Sequence, residues 1–179
     1  RQLADWDAAG FLVPRIAVNC SVQQLEQPDL LDEIHAILAA TDVAPDRLEM
    51  EVTESMLMRH AEQVIANLEA LRDLGVTIAV DDFGSGFSSL AYLKRLPINR
   101  LKIDRAFVEH LNVDANDDAI ARSIIALGRE LGLDVLAEGV ETEAQRTFLA
   151  QEGCQEAQGY LFGRPMPPDR LRKSRDPVS

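Results

Sequence analysis

Apolar positions along the chain switch between two periods. Short β-branched runs alternate with longer stretches in which apolar residues recur every third or fourth position. The pattern predicts a helix over about 1–9 and a strand over Arg15–Asn19. A helix over 22–40 follows, with Leu30, Leu31, Ile34 and Leu38 on one side, and then a strand over Leu48–Thr53. The cleanest amphipathic stretch is 57–74, where Val64, Ile65, Leu68, Leu71 and Leu74 form the seam and Gly75 supplies the stop. Next comes Val76-Thr-Ile-Ala-Val-Asp-Asp-Phe-Gly-Ser-Gly-Phe-Ser-Ser89, read as strand, loop and helix start. A helix over about 88–95 closes near Pro97, and Arg100–Asp104 is a strand. A helix over 116–131 follows, with Ile120, Ile124, Leu127 and Leu131 as its seam. The series ends with a strand over Asp134–Glu138, a helix over Thr142–Glu152 and a last strand over Ala157–Phe162.

Strands alternating with helices imply a parallel sheet, either doubly wound or closed into a barrel. Short apolar strands that end in polar residues favour the barrel, in which chemistry collects at the C-terminal strand ends. Those ends carry Asn19, Glu51 to Glu54, Asp81 and Asp82, Lys102 and Asp104, Glu138, and Gln158. Each predicted strand delivers an oxygen or a charge to the same edge. Solvated loop ends do not account for such a register.

Length and composition narrow the choice. The 179 residues suit one domain, expected to span 1–170 with a polar tail over 171–179. The net charge of −12 argues against a DNA or RNA groove, which wants a basic face. It leaves room for a small phosphate ligand held through metal ions. No apolar run approaches the ~20 residues of a membrane span. Cys20 and Cys154 lie far apart in apolar surroundings and read as core thiols. His35, His60 and His110 share no ligand spacing, so zinc or triad chemistry is disfavoured. Gly84-Ser85-Gly86 lacks the third glycine of a dinucleotide loop and follows two acids. The chain opens on Arg1 within a helical pattern, which predicts that it starts inside a larger domain.

Adjacent carboxylates at the end of a buried strand need a cation or water, because desolvating them unpaired costs several kcal/mol. Glu51, Asp81, Asp82 and Glu138, with the amide of Asn19, form a hard, oxygen-rich set that selects Mg²⁺ or Mn²⁺ over zinc. Two ions roughly 3.5–4 Å apart suit in-line attack on a phosphodiester. Alternation places Lys102 on the face opposite Leu101 and Ile103, where it could steady the attacking hydroxide or the phosphate, or balance charge. Asp104 alternates with Lys102 and could pair with it. Glu54, just past its strand, could fix the 83–90 loop or serve the start of the next helix. Arg164 before Pro165 suits a structural role better than a ligand contact.

At these residues the chain resembles the EAL-domain family, the cyclic di-GMP phosphodiesterases. The matching stretches are Val18-Asn-Cys-Ser21, Leu48-Glu-Met-Glu-Val-Thr-Glu-Ser55, Asp81-Asp-Phe-Gly-Ser-Gly-Phe-Ser-Ser-Leu90, Leu101-Lys-Ile-Asp104, Ala137-Glu-Gly-Val-Glu-Thr142, Gln158-Gly-Tyr160 and Arg164-Pro165. The resemblance implies a modified TIM (β/α)8 barrel that cuts cyclic di-GMP to linear pGpG with two Mg²⁺ or Mn²⁺ ions. It implies that Asn19, Glu51 and Asp81 bind the first metal and that Asp82 serves the second. Lys102 then lies by the catalytic water, Glu138 is a metal-site glutamate, and Gln158 is a central polar contact. Glu54 anchors the loop that holds Gly84, Ser85 and Gly86, a region associated with homodimers. A cytoplasmic domain is implied, with GGDEF or sensor modules or a membrane anchor upstream.

The signature Glu-Ala-Leu is found here only as Glu69-Ala-Leu71 on the amphipathic helix, where the match is accidental. The signature strand and its hairpin partner would lie upstream of Arg1. The expectation is therefore a barrel incomplete at its N-terminus, with open edges at the first and last strands. The alternative reading is an EAL-type domain without turnover, inactive by sequence or by truncation, that senses cyclic di-GMP or docks partners.

Overall fold

The computed structural model describes residues 1–59, 62–84 and 93–175. Its core is one sheet whose strands follow chain order: β1 (Ile16–Asn19), β2 (Leu48–Thr53), β3 (Thr77–Phe83), β4 (Arg100–Ile103), β5 (Asp134–Ala137) and β6 (Glu156–Ala157). Every neighbouring pair is parallel. Among the described residues β1 and β6 do not pair with each other, so the sheet is an open half-barrel with two free edges. The parallel sheet is the one that the alternation predicts, and its incompleteness as a barrel is the one that the family resemblance implies.

The helices are α1 (Gln2–Ala8), α2 (Val22–Leu25), α3 (Leu30–Thr41), α4 (Glu54–Arg59), α5 (Glu62–Leu74), α6 (Arg105–Val108), α7 (Ala115–Leu131), α8 (Glu143–Gln151) and α9 (Pro168–Arg175). The single helix expected over 22–40 is two. Pro28 removes an N–H and disfavours helical backbone at Gln27, so the chain breaks there. Ser21 starts α2 and Thr142 starts α8 with capping boxes, closed by Gln24 and Gln145. The stretch expected as one helix over 57–74 starts earlier, at Glu54, and α4 and α5 flank residues 60–61, which lie outside the described segments. Residues 88–92 of the helix expected over 88–95 fall outside them too.

Burial follows the seams with one rotation. Leu30, Ile34 and Leu38 of α3 and Val64, Leu68 and Leu71 of α5 are buried as expected. On α7 the buried face is Ala121, Ile124, Ile125 and Gly128, and Ile120, Leu127 and Leu131 are only partly buried. Two of the four are small, and a Cβ on Gly128 would sit 2.2 Å from Val135 Cγ2, so the helix lies directly on β5.

The last strand is shorter than expected. It ends at Ala157, although Gln158 N–H still donates to Ala137 O at 2.8 Å. Gly159 then passes so close to Val140 that a Cβ there would meet its carbonyl oxygen at 2.2 Å, and residues 159–162 turn away. Residues 168–175 form α9, so the boundary expected at 170 falls inside a helix.

Candidate active site

Strand parity fixes what faces the concave side of the sheet. On β2, Glu49, Glu51 and Thr53 share a face; on β4, Arg100 and Lys102 do. The register aligns Asn19 with Glu51 and Thr53 with Asp81. Lys102 is the centre of the resulting constellation. Its Nζ stands 2.5 Å from Glu51 Oε1, 2.8 Å from Asp81 Oδ1 and 2.7 Å from Glu138 Oε1. Gln158 Nε2 donates to Glu138 Oε1 at 2.7 Å. Four strands thus contribute to one cluster, with β6 supplying a fifth contact just past its end.

The pairing shifts the proton affinities of the cluster. Burial opposes the charged form of Lys102, but the hydrogen bonds it donates to Asp81, Glu138 and Glu51 outweigh it and its pKa is raised. Glu138 is also raised: burial pushes it up, Lys102 pulls it down, and the nearby charges of Asp81 and Glu51 add to the rise. Asp82 is raised by burial first and then by Asp81 and Asp104, against a smaller pull from Lys102.

Asp81 and Asp82 diverge because the backbone twists between them. Asp82 has φ 53°, in the left-handed region, and the β3–β4 register shifts between Val80 and Phe83. Asp82 N–H donates to Asp81 Oδ1 at 3.1 Å, and Gly84 N–H donates to Glu54 Oε2 at 3.0 Å. Glu54 therefore anchors the start of the 83–90 loop, one of the two roles its position allowed. Gly84, at φ 101°, lies so close to Ile124 and Phe107 that a Cβ would be 2.9 Å from Ile124 Cδ1. Ser85 and Gly86, and the expected dimer contact through 83–90, lie outside the described residues from position 85 onward.

One expectation for this region changes. Asp104 does not pair with Lys102; it turns outward and caps α6, accepting from Ala106 N–H at 2.9 Å. Its charge acts on Asp82 from there. Arg164 keeps the structural role expected of it: its guanidinium stacks on the Tyr160 ring, 4.3 Å from the centroid. Asn19 sits exposed at the end of β1 beside Glu51 in register.

Sequence reading missed a cleft of about 510 Å³ next to Glu138 and Gln158, walled by Arg105, Tyr160, Arg164 and Met166. Arg105 is held there by Glu141 at 3.0 Å. The signal was present in the exposed aromatic and basic residues around 160–164, but the expected strand hid their turn.

The donor set fits a divalent cation. Carboxylate oxygens of Asp81, Asp82 and Glu138 lie within 4.8 Å of one another, and Glu51 joins them through the Lys102 ammonium. All the donors are hard oxygens. The fold and this site define a class: a (β/α)-barrel domain with an acidic mouth at the C-terminal ends of its strands. An EAL-domain family profile matches residues 1–165. The chain belongs to the EAL-domain family.

Over 174 residues it is 48% identical to the bifunctional diguanylate cyclase/cyclic di-GMP phosphodiesterase MucR of Pseudomonas aeruginosa, covering 97% of this chain and 25% of MucR. It is 47% identical over 167 residues to the cyclic di-GMP phosphodiesterase NbdA of the same organism, covering 93% of this chain and 21% of NbdA. The chain thus spans about a quarter or less of these curated relatives. The solved PaMucR phosphodiesterase–c-di-GMP complex superimposes with a TM-score of 0.89 at 48% identity, covering 95% of this chain and 69% of that one. A manganese/cyclic di-GMP complex of Klebsiella pneumoniae BlrP1 gives 0.83 at 32% identity, covering 91% and 42%. Among the described residues no helix is long and apolar enough to cross a membrane.

Proposed function

We propose that this domain hydrolyses cyclic di-GMP to linear pGpG with the help of two Mg²⁺ or Mn²⁺ ions. The observation that carries the reading is the convergence of Glu51, Asp81 and Glu138 on Lys102, beside Asp82, in a chain half identical to a named cyclic di-GMP phosphodiesterase.

Asn19, Glu51, Asp81 and Glu138 would hold the first ion and Asp82 the second. When bound, the ions supply charge for the developing phosphorane oxygens and lower the pKa of the attacking water. The chain's own groups do the rest. Lys102, charged at neutral pH, offers its ammonium to the attacking oxygen or to a phosphate oxygen. Gln158 holds the Glu138 carboxylate by donating to one oxygen and leaves the other free to accept. Glu54 holds Gly84 N–H and with it the twist that aims Asp82 away from Asp81. The cleft beyond Glu138 and Gln158 gives the substrate room beside the reacting centre.

The domain works in the cytoplasm, as a homodimer through the 83–90 region, alongside a GGDEF or sensor module in its polypeptide. MucR, named bifunctional, supports the last point. The test is a product assay with cyclic di-GMP in the native polypeptide. Turnover is expected with Mg²⁺ or Mn²⁺, none in EDTA, and none for Glu51→Ala. Metal-independent turnover sinks the mechanism. Calorimetric binding of cyclic di-GMP without product, with metal present, selects the sensor reading instead.

A further inference from the structure

Two ionic storeys stand on the concave face of the sheet. The upper one is the candidate site. The lower one lies two residues earlier on each strand: Glu49 precedes Glu51 on β2, and Arg100 precedes Lys102 on β4. Two residues along a strand rise about 6.5 Å. Arg100 Nη1 stands 3.3 Å from Glu49 Oε2, and its Nη2 stands 2.6 Å from Glu156 Oε1 and 3.5 Å from Asp134 Oδ2. Arg15 Nη1 reaches the same Glu49 oxygen at 2.9 Å. Glu49 is 2% exposed and Arg100 5%. None of these groups takes part in the proposed chemistry.

Strands β2 and β4 do not touch, because β3 lies between them. Neighbouring strands are about 4.8 Å apart, so side chains from β2 and β4 start about 10 Å apart. They meet only if β3 presents something short. It presents Ala79, fully buried, which is the register partner of both Glu51 and Arg100. The bridges Glu49–Arg100 and Glu51–Lys102 cross β3 on either side of this one methyl group.

We propose that Glu49, Arg100 and Ala79 are positioning residues for the cation site. The buried lower bridge and the alanine gap fix the separation of β2 and β4 at which Glu51 and Lys102 meet. They thereby set the spacing of the carboxylates that take the metal. A guanidinium stays charged at any working pH, and its planar fork grips carboxylates from two sides at once. Neutralising Glu49 leaves that buried cation short of a partner, and the strands must shift to rehydrate it. The proposal rests on the reading of the upper storey as a divalent-cation site.

The test uses Glu49→Gln, Ala79→Leu, Arg100→Gln and Arg100→Lys in the native polypeptide. Mn²⁺ affinity is read by titration calorimetry, kcat and KM with cyclic di-GMP, and folding by circular dichroism. Glu49→Gln, Ala79→Leu and Arg100→Gln are expected to stay folded and weaken Mn²⁺ binding about tenfold or more, as loss of outer-shell support does. They should lower kcat to a similar degree with KM nearly unchanged, and Arg100→Lys should recover part of both losses. Ala79→Val, a smaller step that keeps every charge, replaces any variant that does not fold and is judged by the same readouts. Unchanged Mn²⁺ affinity in folded variants overturns the proposal, as does a loss confined to thermal stability or to KM. Weakened Mn²⁺ binding around a parent that cleaves no cyclic di-GMP supports the positioning role and removes the phosphodiesterase reading. A parent that binds no Mn²⁺ removes both.

Discussion

Lys102 is only 3% exposed, and it keeps its charge because Glu51, Asp81 and Glu138 meet it within 2.8 Å. Its raised pKa makes its contribution to stability complete below the ordinary value of 10.5, and that contribution is lost only as pH climbs through the higher folded value. Replacing it by methionine leaves three carboxylates facing one another. Lys102→Met is expected to cost the metal-free protein about 3–5 kcal/mol, read as a lower urea midpoint in EDTA. An unchanged midpoint would contradict that account. Asp82 and Glu138 follow the same rule with the opposite result at neutral pH, where their raised values cost stability. Their folded pKa values lie above the ordinary 3.8 and 4.5, so their contribution is complete below those values and is lost as pH rises through the folded ones. Asp82→Asn should therefore raise metal-free stability at pH 7, lose that gain below about pH 3.8, and weaken Mn²⁺ binding; urea titrations at the two pH values check the sign. Cys154 is the quiet counterpart. Burial pushes its thiol up to about 11, and its Sγ lies 3.3 Å from Glu156 O and 3.5 Å from Val135 O. It should resist thiol reagents at pH 8 until the protein unfolds.

Elements deliver these residues through their joints. The bulge in β3 and the Glu54 anchor at the head of α4 act together, so Glu54→Ala should reduce turnover about tenfold or more while far-ultraviolet circular dichroism stays unchanged. Gly128 plays the same part for α7. A methyl group there strikes Val135, and Gly128→Ala is expected to cost about 1–3 kcal/mol, with Tm falling about 2–4 °C per kcal/mol in a thermal melt. What was legible in the sequence follows from these joints. Period and parity named the strands, the concave face and the carboxylates, because each depends on a residue's own alternation. Pro28 also signalled its break, and the rule simply lost to the apolar periodicity around it. The rotated seam of α7 was hidden because Ala121 and Gly128 carry no apolar signal, although both face the sheet. The turn at Gly159 depends on a contact with Val140, and Asp104's choice of a cap over Lys102 depends on where α6 starts. Neither can be read from local pattern. Glu49 and Arg100 lie one alternation step below Glu51 and Lys102, and attention to the strand ends passed over them.

At the scale of the molecule, acidic charge and open edges dominate. The chain carries a net −12, and four of its carboxylates crowd one mouth. A cation that binds the folded state alone should stabilise it by about 2.7 kcal/mol at a hundredfold excess over its Kd. Tm should therefore rise about 5–11 °C in Mg²⁺ or Mn²⁺ over EDTA, and not in matched NaCl. Equal shifts with NaCl would mean general screening rather than a site.

The sheet order carries a consequence for synthesis. Among the described residues each strand after β1 pairs with the one made just before it, so these six strands can be laid down one after another as they leave the ribosome. Lys102 then appears when Glu51 and Asp81 are already in place to receive it. Glu138 and Gln158 follow it, so this part of the nascent mouth stays unfinished until β6 has emerged.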